Sequence, residues 1–422
     1  MYNNIKDLRI EKELFPLFDN TINGYSKKIL KDLLNNKLNS IEEIEYRQKI
    51  LKGFISNYDI LKDFSYTKRN LTEVYNFIET ETFEIYLNKN KRFFIRLKNK
   101  HNHPVYSKII QAILLFQRLN TYYFSKIIPD YFPSPYKESI TFLVSFLIEL
   151  RTEYYEDLFL RNKFNSKNII DVIELFSRKK NNKDFERFWD LLFEFEAYLS
   201  VSQCIIKHKW NFPSITSNKL SLIDFYHPLL VNPVLNSFEP EKNVIILTGP
   251  NMSGKSTFLR AIGICIYFAN LGLAIPAARA QIPFRESISI SIDLNDNVLK
   301  GFSHFMVEIQ NLKKVLNEAN NKKCFAVFDE LFRGTNNEDA LEITYATIKG
   351  LIKYKDSIFI ISTHLHELKN SDVIQNDYIE KFHIDCKIEN NEPAFTYKIN
   401  KGWSDLKLGR ILFEKEGIYK LL

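Results

Sequence analysis

Residues Gly249 to Thr257, GPNMSGKST, follow the spacing G-x-x-x-x-G-K-[ST], which suits the binding of a nucleoside triphosphate. Gly249 and Gly254 let backbone N–H groups turn inward around phosphate oxygens, with Pro250, Asn251, Met252 and Ser253 between them. Lys255 is placed to reach the β- and γ-phosphates of ATP, Ser256 to offer its hydroxyl to Mg²⁺, and Thr257 closes the motif. The run NVIILT precedes the loop and a helical pattern follows it, so a helix starting near Lys255 aims its positive end at the same anion.

Such a loop needs an acidic partner, and FAVFDE supplies one: four apolar residues of a buried strand, then Asp329 and Glu330 at its carboxyl end. Asp329 is expected to hold Mg²⁺ through water and Glu330 to polarise the attacking water, a pairing that favours hydrolysis over simple binding. His364 follows the next apolar run in STHLHEL, where an imidazole can sense the γ-phosphate or orient the water; His366 is expected to face elsewhere. Ser303 stands at an apparent helix start, GFSHFMVEIQNLKKVL from Gly301 to Leu316, well placed as a cap. The order of loop, Ser-bearing helix start, acidic strand and His is that of ATPases that sandwich nucleotide between two subunits. On that reading Ser303 faces the γ-phosphate bound by a partner chain.

The elements that must position these groups change character near residue 221. Residues 1–220 read as helical, with Leu, Ile and Phe at spacings of three and four and a Pro-rich break at Tyr131-Phe132-Pro133-Ser134-Pro135. Beyond Pro213–Leu222 come short β-rich runs, Asn243–Thr248, Cys324–Phe328 and Ser357–Thr363, separated by helical pattern, which predicts a largely parallel α/β sheet. No internal repeat stands out.

Composition sets the frame. The chain has 422 residues, 45% hydrophobic and 26% charged, which excludes wholesale disorder and a membrane bundle. The longest apolar stretch, from Ala261 to Ala278, is broken by Asn270, Gly272 and Pro276, and the charged start MYNNIKDLRIEKELF lacks a signal peptide's core, so a cytoplasmic protein is expected. Cys204, Cys265, Cys324 and Cys386 lie far apart with no CxxC pair and read as reduced thiols. The net charge of +7 comes from residues 1–220, which hold 35 basic and 27 acidic side chains (+8), while residues 221–422 hold 23 and 24 (−1). Between Ile85 and Pro129 there is no acidic residue, and Lys89, Lys91, Arg92, Arg96, Lys98 and Lys100 crowd one short segment, with Lys108, Arg118 and Lys126 beyond it. That is an electrostatic footprint for DNA phosphates, or else a solvated basic face. Phe93, Phe94, His101 and His103 are candidates for base stacking.

These residues resemble the MutS family of DNA mismatch-repair ATPases, of the ABC class. FYHPLL (Phe225–Leu230), TGPNMSGKSTFLR, SHFMVE, FDELFRGTN (Phe328–Asn336) and STHLHEL are similar to that family's blocks, in its order. The tail from Tyr397 to Ile418 resembles its closing segment, with Gly402, Ser404, Gly409 and Gly417 in place, and Leu14 to Leu51 resembles the start of its core, ending in Arg47-Gln48. Departures accompany the likeness. The family's opening domain with its Phe-x-Glu wedge has no counterpart; Phe77-Ile78-Glu79 fits those letters in a helical stretch. Leu331-Phe332 stands where the mismatch-repair branch usually has Ile-Gly, and the space from 52 to 210 is short for levers plus a full clamp.

The resemblance implies an all-α N-terminal domain, a core and lever at residues 1–215, followed by an α/β P-loop NTPase domain of ABC type at residues 221–422, as in a shortened paralogue. It implies ATP hydrolysis with Mg²⁺ at composite sites of an ATP-promoted homodimer, controlling a clamp on double-stranded or branched DNA, with association to the nucleoid when DNA-bound. A nucleotide-gated protein-interaction switch that never touches DNA is the alternative.

Overall fold

The computed structural model describes residues 5–88, 104–292, 304–332, 334–389, 392–406, 413 and 421. Two compact units divide the chain: one gathers Met1–Leu17, Asn35–Gln48 and His208–Leu422, the other Phe18–Leu34 and Lys49–Lys207. No helix among the described residues is long and apolar enough to cross a membrane.

The second of these units is helical throughout its described residues. Its elements include α1 (Gly24–Asn35), the end of α2 (Ile41–Ser56), α3 (Lys68–Thr80), α4 (Pro104–Leu119), α5 (Tyr136–Glu149), α6 (Thr152–Leu160), α7 (Ser166–Asn181) and α8 (Asp184–His208). An aromatic core holds them: the Phe116 ring packs edge-on to Phe146, Phe176 and Phe188, and Phe54 packs on Phe132 and Phe195. Each buried aromatic removes a large apolar area from water, and edge-to-face pairs add about 0.5–1.5 kcal/mol beyond it. Phe77 and Ile78 are buried within α3 while Glu79 is exposed, so the Phe of the Phe77-Ile78-Glu79 triplet is a core residue and not a free wedge. A polar knot interrupts the apolar packing near the start of α1. Glu196 of α8, 2% exposed, accepts N–H bonds from Ile22 (2.5 Å) and Asn23 and side-chain bonds from Asn23 and Tyr66. Burial pushes its carboxyl above the ordinary range while these donors pull the other way.

The first unit is α/β. Its strands are β1 (Ser214–Thr216), β2 (Ser221–Phe225), β3 (Asn236–Phe238), β4 (Val244–Thr248), β5 (Arg279–Pro283), β6 (Ser287–Ser291), β7 (Cys324–Asp329), β8 (Ile358–Ser362), β9 (Ile379–Glu389) and β10 (Glu392–Lys401). The main sheet runs β10-β9-β4-β8-β7-β6, parallel from β9 to β6, with β10 antiparallel as an edge hairpin, so the sheet is mixed rather than wholly parallel. Every residue of β4, β6 and β8 is buried, as expected of parallel strands covered on both faces. A smaller sheet, β1-β5-β2-β3, accompanies it.

Between the strands lie α9 (Lys255–Asn270), α10 (His304–Ala319) and α11 (Asn337–Leu351). From Phe258 to Asn270 only Arg260 of α9 is not buried, which marks it as the central helix of this unit. The N-terminal segments belong to the same packing. Arg260 Nε donates to the Asp7 carbonyl (2.9 Å) and Ile292 N to Asp7 Oδ2 (2.7 Å), while Leu8 is buried beside Gly263. Arg47 Nη1 donates to the Leu271 carbonyl (3.0 Å) and Gln48 Nε2 to that of Pro213 (3.2 Å).

Candidate nucleotide site

The carboxyl ends of β4, β7 and β8 lie side by side in the sheet, and the groups singled out in the second half of the sequence meet there. The β4 strand runs straight into the loop Gly249–Gly254, and α9 begins at Lys255. The two glycines are required by geometry. Gly249 has φ +146 and Gly254 φ +95; a Cβ on the first would lie 3.1 Å from Ser253 Oγ, and on the second 3.1 Å from the Tyr397 ring. Pro250 and Ser253 are buried, Asn251 and Met252 exposed, and Thr257 lines the cleft beside the loop. Ser253 Oγ is buried with no hydrogen-bond partner among the described residues. A loop whose close turns exclude side chains, with an orphaned hydroxyl inside it and a 16-residue helix opening behind it, fits a phosphate group. Lys255, 6% exposed, folds over the loop and donates to the carbonyls of Gly249 (2.9 Å) and Pro250 (3.0 Å).

The acidic element closes on the same point. Ser256 Oγ donates to Asp329 Oδ2 at 2.5 Å, and Ser362 Oγ donates to Asp329 Oδ1. Two hydroxyls therefore fix one carboxylate, and the Ser256–Asp329 pair presents two hard oxygen donors of the kind Mg²⁺ takes. Glu330 follows in the left-handed region, φ +57, with its N–H donating to the Ser362 carbonyl and hydroxyl, both at 3.2 Å. A non-glycine residue held at positive φ costs of order 1–3 kcal/mol and persists where the surroundings over-determine it. Glu330 Oε1 lies 2.5 Å from His364 Nε2; the carboxylate side chain is 12% exposed and the imidazole 33%. The imidazole and the acid thus form one pair, while His366 opens a short 3₁₀ turn beyond it.

Three features escaped the residue-by-residue reading. Ser362, the second hydroxyl on Asp329, carries no signal beyond its place before Thr363 at a strand end. Glu308 of α10, 3% exposed, lines a small hollow with Asp329 and Glu330; it closes the SHFMVE block, but nothing in the sequence set it beside the two acids. The third is a cleft of about 390 Å³ beside the loop, lined by His227, Val231, Asn236, Gly254, Phe258 and Tyr397. Its rim is apolar, with Val231 and Tyr397 exposed, and its floor holds His227, whose titration is pushed down to about 4 by burial and by Arg260. The cleft offers a neutral imidazole and an aromatic ring to a flat ligand. Ser303 and the cluster Lys89, Lys91, Arg92, Arg96, Lys98 and Lys100 lie outside the described residues, as do Phe93, Phe94, His101 and His103.

Residues 245–415 match the family model for MutS domain V. This stretch is similar to MutS domain V. The match covers the loop, both acids, His364 and the tail that carries Tyr397. The chain is also similar to the DNA mismatch repair protein MutS of several bacteria. It is 31% identical to that of Persephonella marina over 230 residues, 53% of this chain and 26% of the relative. Against that of Alkaliphilus metalliredigens it is 32% identical over 231 residues, 52% and 25% respectively. The likeness to that of Lactococcus lactis reaches further, 27% identity over 288 residues, 61% of this chain and 34% of the relative. The chain thus spans about a quarter to a third of the length of these relatives.

Proposed function

We propose that this protein hydrolyses ATP and uses the cycle to control its hold on DNA, in mismatch repair or a related branch of DNA repair or recombination. One observation carries the reading: Lys255, Ser256, Asp329, Glu330 and His364 converge at the carboxyl edge of one sheet, as an ABC-type P-loop ATPase requires. The loop N–H groups and Lys255 bind the triphosphate, and the cleft beside Tyr397 and His227 takes the base. Ser256 and Asp329 would hold Mg²⁺, which when bound neutralises charge on the β- and γ-phosphates. Glu330 accepts the proton of the attacking water, and His364 holds its carboxylate in place and faces the γ-phosphate side. Preorganised groups of this kind work mainly by positioning and electrostatics.

The reading extends to an ATP-promoted homodimer in which Ser303 completes the partner's site, and to a helical core and lever ahead of the ATPase domain. Contacts from Lys89 to Lys100 would grip the phosphates of double-stranded or branched DNA. The test is ATP turnover with duplex, mismatched, single-stranded and branched DNA, alongside light scattering with saturating ATP. We expect Lys255→Ala to abolish tight ATP binding, DNA to change the turnover rate, and Ser303→Arg to weaken dimerisation. Turnover that ignores every DNA would instead favour a nucleotide-gated interaction switch, and a strict monomer with ATP would refute the shared site.

A further inference from the structure

The opposite edge of the main sheet carries a different chemistry. The turns leading into β7 and β8, residues 319–323 and 353–357, together with Glu286 ahead of β6, line an open groove of about 560 Å³. Lys322, Lys323, Lys353 and Lys355 rim it, with the amides of Asn320 and Asn321 between them. A second hollow of about 380 Å³ shares Asn321 and Lys322 and continues along α10 past Lys313 and Lys314.

The charge of this groove is not balanced from within. Among the described residues none of Lys322, Lys323, Lys353 and Lys355 is ion-paired. Two carboxylates line the groove with the four lysines, which leaves it net positive. Glu286 Oε2 accepts the Lys323 N–H (3.0 Å) and Glu318 Oε2 accepts the Ser287 hydroxyl; the exposed acids lining the groove are Glu286 and Asp356, against the four lysines. Two of the ammonium groups instead lie against rings: Lys353 Nζ is 4.8 Å from the Tyr354 centroid and Lys355 Nζ 5.8 Å from that of Tyr378, itself 52% exposed. Cations strung along connected hollows suit a linear polyanion better than one small anion, which would need them to converge. Lysines act as point charges, which suits successive phosphates, whereas planar two-oxygen recognition of carboxylates is the work of arginine. An open tyrosine beside the cations adds a face on which a base can stack.

We propose that this groove binds a single strand of nucleic acid through its phosphate backbone, with a base stacked on Tyr378, without reading sequence and apart from the nucleotide site. The surface adds to the DNA binding proposed above and stands without it. The test uses the full chain and fluorescein-labelled oligothymidylate across 50–200 mM salt, with two variants. One reverses Lys322, Lys323, Lys353 and Lys355 to Glu; the other is Tyr378→Ala. All five side chains lie outside the nucleotide site, so ATP binding and thermal melting serve as folding controls.

The reversal is expected to weaken binding at least about thirtyfold and to lower the salt slope by roughly 3, at about 0.7 for each phosphate of a single strand that is no longer neutralised. Tyr378→Ala should weaken it at least about fivefold, as removal of a stacking partner does. Lysine acylation should show the four groove lysines protected by the oligonucleotide. Binding within twofold of the parent with an unchanged slope would overturn the proposal, as would protection confined to Lys89–Lys100. Polyglutamate of equal charge competing as well as the oligonucleotide would also overturn it, pointing to an acidic protein. Groove protection together with ATP turnover that ignores DNA would leave this proposal standing and remove the coupled clamp.

Discussion

Glu330 and His364 should behave in hydrolysis as one unit rather than two contributors. Glu330→Gln keeps the side-chain shape and the φ of +57 but cannot take the proton of water, so turnover should fall about 10²–10⁴-fold, ~3–5 kcal/mol in the barrier. His364→Ala leaves the base but removes the partner 2.5 Å from its oxygen, a charge-assisted interaction worth roughly 1.5–3 kcal/mol, hence a loss of about 10–100-fold. Independent effects would multiply to about 10³–10⁶-fold. If the imidazole acts through the carboxylate, it has nothing left to orient once the base is gone. The double variant should then sit close to Glu330→Gln alone, with a coupling energy of about 1.5–3 kcal/mol. Single-turnover hydrolysis, with protein in excess over ATP and binding measured separately, reads the chemical step. Losses that multiplied in full would refute the pairing as a functional unit.

Further outcomes follow from buried titratable groups. His227 is held well below its ordinary range, to about 4, so it is neutral when folded at pH 7, and its contribution to stability is present above about 6.5. That contribution should drain away as pH falls from about 6.5 to about 4; urea unfolding of the parent and of His227→Gln should diverge in that window, and parallel curves would refute it. Of the four thiols, Cys204, Cys265 and Cys324 are buried, with titration raised by desolvation, Cys204 to about 12 and Cys324 to about 11, while Cys386 is partly exposed. A disulfide-exchange reagent at pH 8 should therefore react with one thiol in the native protein and four in denaturant; a second native thiol reacting at the same rate would contradict this burial.

Much of the α/β unit was legible because its central strands are plain apolar runs. Those read at Asn243–Thr248, Cys324–Phe328 and Ser357–Thr363 appear as β4, β7 and β8 within a residue or so at each end. The β6 strand, SISIS, was not legible: serine at alternate positions suggests a half-wet strand, yet Ser287, Ser289 and Ser291 are all buried. The hairpin of β9 and β10 was hidden by its many charges, since an edge pair needs only one dry face. At the site, the loop and the acids were visible as spacing along the chain. The seat of Tyr397 against Gly254 was not, because it comes from a hairpin some 140 residues further on, and local pattern carries no trace of such a meeting.

The threading of the α/β unit has a bearing on how the protein is made and cut. Asp7 and Leu8 leave the ribosome well ahead of the groups they dock on, Arg260, Gly263 and Ile292, which follow more than 240 residues later. At about 5–20 residues per second of synthesis, the early segment waits tens of seconds for its seat, a long exposure for an apolar strip. A fragment begun at residue 221 to isolate the ATPase would lack that strip and the Arg47 and Gln48 bonds, leaving the flank of α9 bare. Joining the first 48 residues to the second half through a flexible linker would preserve a seam that a simple cut destroys.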